Sequence, residues 1–259
     1  MSPELNAALD AARAAHEVIQ ALYQRNLAVT LKADKSPVTE ADVRAEEAIR
    51  AVLATRFPDH GFIGEETGQD RVQSESVWLV DPIDGTKSFV RECPFFSTQI
   101  ALMRAGRLIL GVSSAQTYGE LAWAQAGEGA FLNGERVHVS AIAQLESSIL
   151  SVGNLKSLAA SPAGWTRLGA LIGRVNRLRG YGDFLHYHLL ARGALEVVLE
   201  SDLNILDIAA LTVIVREAGG VVTDLAGAAI DMTSTSLLAG NPAMHAAALA
   251  ALRGQPEGG

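Results

Sequence analysis

The chain has 259 residues, of which 49% are apolar, and its 29 acidic against 21 basic side chains leave a formal net charge of −8. This length suffices for one large domain or two joined halves with a sizeable core, and the acidic balance argues against a nucleic-acid surface. No apolar run approaches the roughly 20 residues that span a bilayer, the N-terminal MSPELNAALDAARAAHEVI lacks the features of a secretory signal, and a single cysteine, Cys93, fits a reducing cytoplasm.

From about Pro3 to Tyr23 the apolar spacing is that of an amphipathic helix, and an extended stretch, LAVTLKADKS (27–36), follows. Thr39 can cap a second helix, in which Ile49, Val52 and Leu53 recur at helical spacing. VWLV (77–80), STQIALM (97–103) and LILGVSSA (108–115) read as strands, with Gly106 between the last two as in a hairpin. Asn133–Gly134 marks another tight turn. Beyond Leu145 the elements alternate: strand SSILSVG, a helix near 163–173, strand VNRLRG, helix DFLHYHLLARG, strand ALEVVLE and helix ILDIAALTVIVREAGG. Strands VVTD and SLLAG and a last helix from Pro242 complete the series. The pattern predicts a mixed α/β protein of two layered lobes. Residues 1–145 form the first, with antiparallel pairing and most of the candidate carboxylates; residues 146–259 form the second, which completes the site. The tail RGQPEGG (253–259) reads as frayed.

Four segments carry candidate chemistry. In WLVDPIDGTKSF (78–89) a buried-looking strand is expected to stop at Asp81, because Pro82 cannot continue the ladder. Asp84 lies three residues on, and a sharp turn would bring both carboxylates to one oxygen-rich pocket suited to a hard divalent cation. Free amides after Gly85 would face the same pocket and suit a phosphate. The plain alternative is an Asp-Pro turn followed by an Asp-Gly turn. FIGEETG (62–68) places Glu65 and Glu66 in a loop, where paired acids are commonly just solvated. In SPVTEADVRAEEAIR (36–50), Thr39 and Asp42 form a capping pair or else stand beside a reactive water. In LESDLNILDIAALTVIVREAGG (199–220), Asp207 sits among apolar residues near a helix start and needs helix amides, a cation, or both.

Taken together, the segments offer Glu65, Asp81, Asp84 and Asp207 in a chain without a cysteine–histidine metal cluster. Four hard oxygen donors suit magnesium, and two or three ions could share them. Metal-assisted phosphoryl transfer needs such a set: cations neutralise phosphate oxygens, activate a water and stabilise the leaving alkoxide.

The order GEE, then DPIDGT, then a distal Asp before an apolar helix ending EAGG resembles the inositol monophosphatase superfamily of metal-dependent phosphatases, from about Lys35 to Gly240. The resemblance implies a layered αβαβα sandwich, shared with fructose-1,6-bisphosphatase. It implies magnesium bound by Glu65, Asp81, Asp84, Asp207 and the Ile83 carbonyl. Thr86 with Asp42 would activate the attacking water, Glu65 would join them in catalysis, and the Gly85 and Thr86 backbone would hold phosphate. A homodimer acting on a small phosphorylated metabolite in the cytoplasm is the implied setting.

Within that superfamily, DPIDGTKSFVR, RGYGDF (179–184) and VLESDLNILDIAAL (198–211) are similar to histidinol-phosphate phosphatases, although Leu206 stands where an aromatic is usual. Asp84, Asp183 and Glu200 are the candidate substrate contacts, with Asp183 and Glu200 facing the ammonium and imidazole of histidinol. Asp183 reads equally as the cap of the following helix. Inositol phosphate is the alternative substrate, as is a 3′-phosphorylated adenosine nucleotide, whose phosphatases share the Lys87 position. A catalytically inactive relative should have lost a metal carboxylate or Thr86, and none is lost. His186 and His188, two apart, diverge by about 200° on a helix and make poor zinc ligands. Trp78, Trp123 and Trp165 read as packing residues, and Cys93 has no relay for nucleophilic catalysis.

Overall fold

The structure is a computed structural model that describes residues 1–25, 30–31 and 37–254. Most of the extended stretch expected at 27–36, and the end of the tail expected to fray, lie outside the described residues. Helix α1 (Pro3–Leu22) starts at Ser2, whose hydroxyl accepts from the Leu5 amide at 3.1 Å, with Pro3 in the first turn where no amide is needed. Strands β1 (Thr30–Leu31) and β2 (Pro37–Val38) pair with each other. Helix α2 (Glu40–Arg56) lies against α1, and the buried face of α1 is mostly alanine, which lets the two backbones approach closely.

The first sheet is built from β3 (Gly61–Gly64), β4 (Gly68–Asp70), β5 (Ser76–Asp84), then β6 (Ser97–Arg104) after the short helix α3 (Thr86–Val90), and β7 (Arg107–Ala115), β8 (Glu120–Gln125), β9 (Gly129–Leu132) and β10 (Glu135–Val137). Its order is β10-β9-β8-β7-β6-β5-β3-β4, antiparallel except for β3 beside β5. Ala105 and Gly106 both take positive φ in the β6–β7 turn, as do Asn133 and Gly134 between β9 and β10, so the hairpin expected at Gly106 and the tight turn expected at Asn133–Gly134 are both two-residue hairpin loops.

The second sheet comes from β11 (Ile149–Val152), β12 (Arg177–Arg179), β13 (Val197–Ser201), β14 (Val221–Thr223) and β15 (Ser236–Gly240), in the order β12-β11-β13-β15-β14. Between these strands run α4 (Lys156–Ala159), α5 (Pro162–Ile172), α6 (Asp183–Ala191) and α7 (Ile205–Glu217), and α8 (Pro242–Arg253) closes the chain.

Alternation along the central strands explains the stacking. On β5, Trp78 and Val80 point into a core shared with α1 and α2, whereas Val77 and Leu79 point to the opposite face, into a core shared with α6 and α7. On β13, Val198 joins that same middle core, while Val197 and Leu199 join α5 and α8 on the far side. The layers therefore run α1/α2, first sheet, α6/α7, second sheet, α5/α8, the αβαβα sandwich that the resemblance implied. Helix α7 is apolar almost all round because it is covered by a sheet on each side. It lies so close to β7 that a side chain at Gly111 would meet the Ala210 carbonyl at 2.3 Å.

Candidate active site

Strand β5 does not stop at Asp81; it runs on through Pro82 to Asp84. The ladder tolerates the proline because it slips there. Asp81 pairs with Gln99 and Asp84 with Ser97, three residues on β5 against two on β6, a bulge that spares the missing amide. The Pro82 carbonyl is satisfied by the Thr98 hydroxyl at 2.8 Å. The slip also has a chemical consequence. Residues an odd number apart on a regular strand face opposite ways, but the extra residue turns Asp81 and Asp84 to the same side.

Asp207 joins them from the first turn of α7. Its carboxylate accepts from the Asn204 amide at 2.9 Å and the Asn204 side-chain amide at 2.7 Å, while Asn204 caps the Leu206 amide. Oxygens of Asp81, Asp84 and Asp207 lie within 4.8 Å of one another. Glu65, in the turn between β3 and β4, reaches hydrogen-bond contact with Asp81. With Ile83, Gly85, Thr86 and Asp183 these residues line one cavity of about 390 Å³.

Among the described residues, six carboxylates line that cavity beside the ammonium of Lys87. Burial, and then the charges of Glu65, Asp84 and Asp207, push the Asp81 carboxyl well above the usual range. Burial and the charges of Asp183 and Asp207 do the same to Asp84. Asp207 is raised to about 7, chiefly by burial and against the opposing hydrogen bond from Asn204. Carboxylates crowded this way call for a compensating cation. The donors are all hard oxygens, with no histidine or cysteine on the lining, so the set fits a hard divalent ion such as magnesium. The oxygens of Asp81, Asp84 and Asp207 are close enough together to share such an ion, and Glu65 and Ile83 line the same cavity.

Gly85 adopts φ 90° and begins α3. A side chain there would meet the Phe95 carbonyl at 2.8 Å, so the backbone requires glycine on two counts. The first-turn amides of a helix have no intrahelical acceptor and remain free for an anion. The Thr86 hydroxyl lies 3.1 Å from Asp42 Oδ1 and 3.0 Å from the Ile83 carbonyl. The other Asp42 oxygen accepts from the Thr39 amide at 2.8 Å and the Thr39 hydroxyl at 2.7 Å. Thr39 and Asp42 thus form the capping pair and are also joined to the site. Burial raises the Asp42 carboxyl, opposed by the Thr39 and Thr86 hydrogen bonds.

Asp183 is not the helix cap: Gly182 holds that position and no side chain bonds there. Instead Asp183 is half-buried on the cavity wall with φ 45°, a left-handed conformation that Asp tolerates better than most residues. Glu200 lies outside the main cavity. It lines a recess of about 30 Å³ behind Asp84, Asp183 and Asp207, and it accepts from the Tyr187 hydroxyl at 2.7 Å and pairs with His186 Nε2 at 3.0 Å. His186 and His188 are both core residues with separate partners, His188 bonding Glu120 and Ser113. Trp78 is fully buried and Trp123 stacks on Phe131 with centroids 4.1 Å apart, but Trp165 is 51% exposed and is not a packing residue.

Three contributors escaped the sequence reading. Glu46 is fully buried on the inner face of α2 and accepts from the Glu66 amide at 2.8 Å, the Thr67 amide at 2.6 Å and the Thr67 hydroxyl, which clamps the turn that presents Glu65. Its signal was present: it falls one helical turn after Asp42, in line with Ala45, Ile49 and Leu53 on the apolar face. Asn154 and Asp202 also line the cavity, and neither belongs to any local pattern that marks it.

Comparison with known proteins agrees with this geometry. The model of the inositol monophosphatase family matches residues 1–257. A histidinol-phosphatase of Mycobacterium tuberculosis is 41% identical over 79% of this chain and 80% of its own length. One of Chlorobaculum parvum is 37% identical over 97% of each chain. Among solved structures, the IMPase of Thermotoga maritima superposes with a TM-score of 0.87 at 30% identity, covering 98% of both chains. The family match along nearly the whole chain, the identity to these phosphatases and the shared layered fold lead to one conclusion: the chain belongs to the inositol monophosphatase family and is a phosphoric monoester hydrolase.

Proposed function

We propose that the chain is a magnesium-dependent phosphatase whose substrate is histidinol phosphate, released as histidinol and inorganic phosphate. The observation that carries the substrate reading is Asp183, whose carboxylate opens on the cavity of the metal cluster from the RGYGDF segment. A carboxylate there matches the ammonium of an amino-alcohol phosphate by a charge-assisted hydrogen bond. Likeness to two histidinol-phosphatases supports the same reading.

Magnesium, when bound, supplies charge neutralisation at the phosphoryl oxygens and at the departing alkoxide. The chain's own groups do the rest. Amides of Gly85 and Thr86 donate to phosphate oxygens. The Thr86 hydroxyl orients the attacking water and relays its proton towards Asp42, whose raised carboxyl makes a better base than an exposed aspartate. Glu65, beside Asp81, is the second carboxylate in reach of that water. As the new P–O bond forms, the bond to the alcohol oxygen breaks; the alkoxide takes a proton from solvent and leaves as the alcohol, and Asp42 returns the proton it received to solvent.

Inositol phosphate is the second reading, because Asp183 and Asp202 on the lining also accept hydrogen bonds from hydroxyls. Phosphate release should be compared on histidinol phosphate, inositol 1-phosphate, fructose 1,6-bisphosphate and a 3′-phosphoadenosine nucleotide. Histidinol phosphate is expected to give the highest kcat/KM. A preference for inositol phosphate would overturn the substrate and leave the phosphatase standing.

A further inference from the structure

A second cavity lies apart from the catalytic one, at the start of β3, whereas Glu65 follows its far end; the strand's four residues span about 13 Å. It is small, about 80 Å³, and is walled by α2, by the 57–62 segment and by Trp78 of β5. Among the described residues, six buried side-chain polar atoms have no hydrogen-bond partner, and three of them belong to residues lining this one cavity: Arg50 Nε, His60 Nδ1 and Trp78 Nε1. Trp78 is 1% exposed.

The character of these atoms defines what would satisfy them. Indole and guanidinium N–H groups only donate, and a buried donor left unpaired is costly. Among the described residues Arg50 has no carboxylate partner; its guanidinium donates to the Gly68 carbonyl at 3.2 Å and stacks over Phe62 at 4.2 Å. Arg71 adds a second guanidinium to the rim, bonded to the Pro58 carbonyl, against the single carboxylate of Asp70. Phe57, stacked on His60 at 4.8 Å and 6.1 Å from Trp78, supplies a wall that weakens competition by bulk water. A water molecule could accept from two donors and place its hydrogens on His60 Nδ1 or on the second lone pair of the Pro58 carbonyl, but it would leave the net positive charge of the lining uncompensated. An anion accepts from every donor and complements the net positive lining.

We propose that this cavity binds a small monovalent anion, of the size of a halide or formate, through Trp78 and Arg50. Because Arg50 also holds Gly68, the first residue of β4, occupancy braces the β3–β4 hairpin whose turn carries Glu65.

The full-length protein should be crystallised and soaked in sodium bromide, and its thermal unfolding followed in sodium chloride or formate against sodium gluconate at equal ionic strength. A bromide anomalous peak is expected within hydrogen-bond distance of Trp78 Nε1. The melting temperature should rise with the logarithm of anion concentration above the dissociation constant, by about 3 °C at ten times that constant, in chloride or formate but not in gluconate. Trp78→Phe keeps most of the ring and removes the donor, and Arg50→Met removes the guanidinium; each should abolish the rise. If Trp78→Phe does not fold, the half-buried Arg50→Met carries the comparison. Water alone in the bromide-soaked cavity, an equal rise in gluconate, or an undiminished rise in Arg50→Met would overturn the proposal.

Discussion

The Thr86 hydroxyl lies 3.1 Å from Asp42 Oδ1, a contact made across 44 residues of chain. Asp42 is held for this task by Thr39, which donates both its amide and its hydroxyl to the other carboxylate oxygen. Thr86→Ala should therefore lower kcat by about a hundredfold to ten-thousandfold, with a smaller effect on KM, and Thr86→Ser should restore most of the loss. Steady-state kinetics of the two variants checks this; an alanine variant that turns over at the parental rate would remove Thr86 from the reaction.

Removing divalent metal should abolish activity and expose the self-repulsion of Asp81, Asp84 and Asp207. Their folded-state carboxyls are raised, Asp207 from its ordinary 3.8 to about 7. A raised carboxyl means the folded state binds more protons than the unfolded one, so its contribution to stability is full below pH 3.8 and is lost as pH rises through about 7. The metal-free protein should accordingly lose stability between about pH 4 and pH 7, and magnesium should restore it. Asp81→Asn should flatten that slope while reducing turnover by several orders of magnitude. Denaturant unfolding with excess chelator across this range is the measurement, and a metal-free stability that rises towards pH 7 would contradict the account.

Glu46 does not line the cavity; it positions Glu65 by accepting hydrogen bonds from the amides of Glu66 and Thr67. Glu46→Ala leaves those two amides without their carboxylate and should cost about 1–3 kcal/mol of stability per unsatisfied group. It should also raise the magnesium concentration needed for half-maximal activity, because the turn that carries Glu65 loses its clamp. A fall in melting temperature with an unchanged magnesium requirement would make Glu46 merely structural.

Asp183→Asn should preserve the fold, since asparagine tolerates the same left-handed backbone at φ 45°. On histidinol phosphate it should lower kcat/KM by about tenfold to a hundredfold, the worth of a charge-assisted hydrogen bond of about 1.5–3 kcal/mol. Inositol phosphate should lose much less, and the magnesium requirement should not move. Equal losses on both substrates would take Asp183 out of substrate selection.

Local patterns in the chain determined most of the elements. Gly106 and Asn133–Gly134 announced their hairpins because only certain residues accept positive φ there, and Thr39 announced α2 because a hydroxyl can cap its first amides. The acidic motifs were legible for the same reason, as residue types unusual beside apolar runs. What local pattern could not supply was direction. Pro82 read as the end of β5, yet the strand takes up the proline in a bulge against β6, and that bulge brings Asp81 and Asp84 to one side. Asp183 read as a cap or a ligand with equal force until Gly182 took the cap. Glu200 read as a substrate contact, and its place behind the cavity follows from Tyr187 and His186, which meet it only when α6 packs on β13. Propensity and capping act over a few residues and can be read along the chain. The orientation of a carboxylate is set by partners distant in sequence, and only the packed layers bring those partners together.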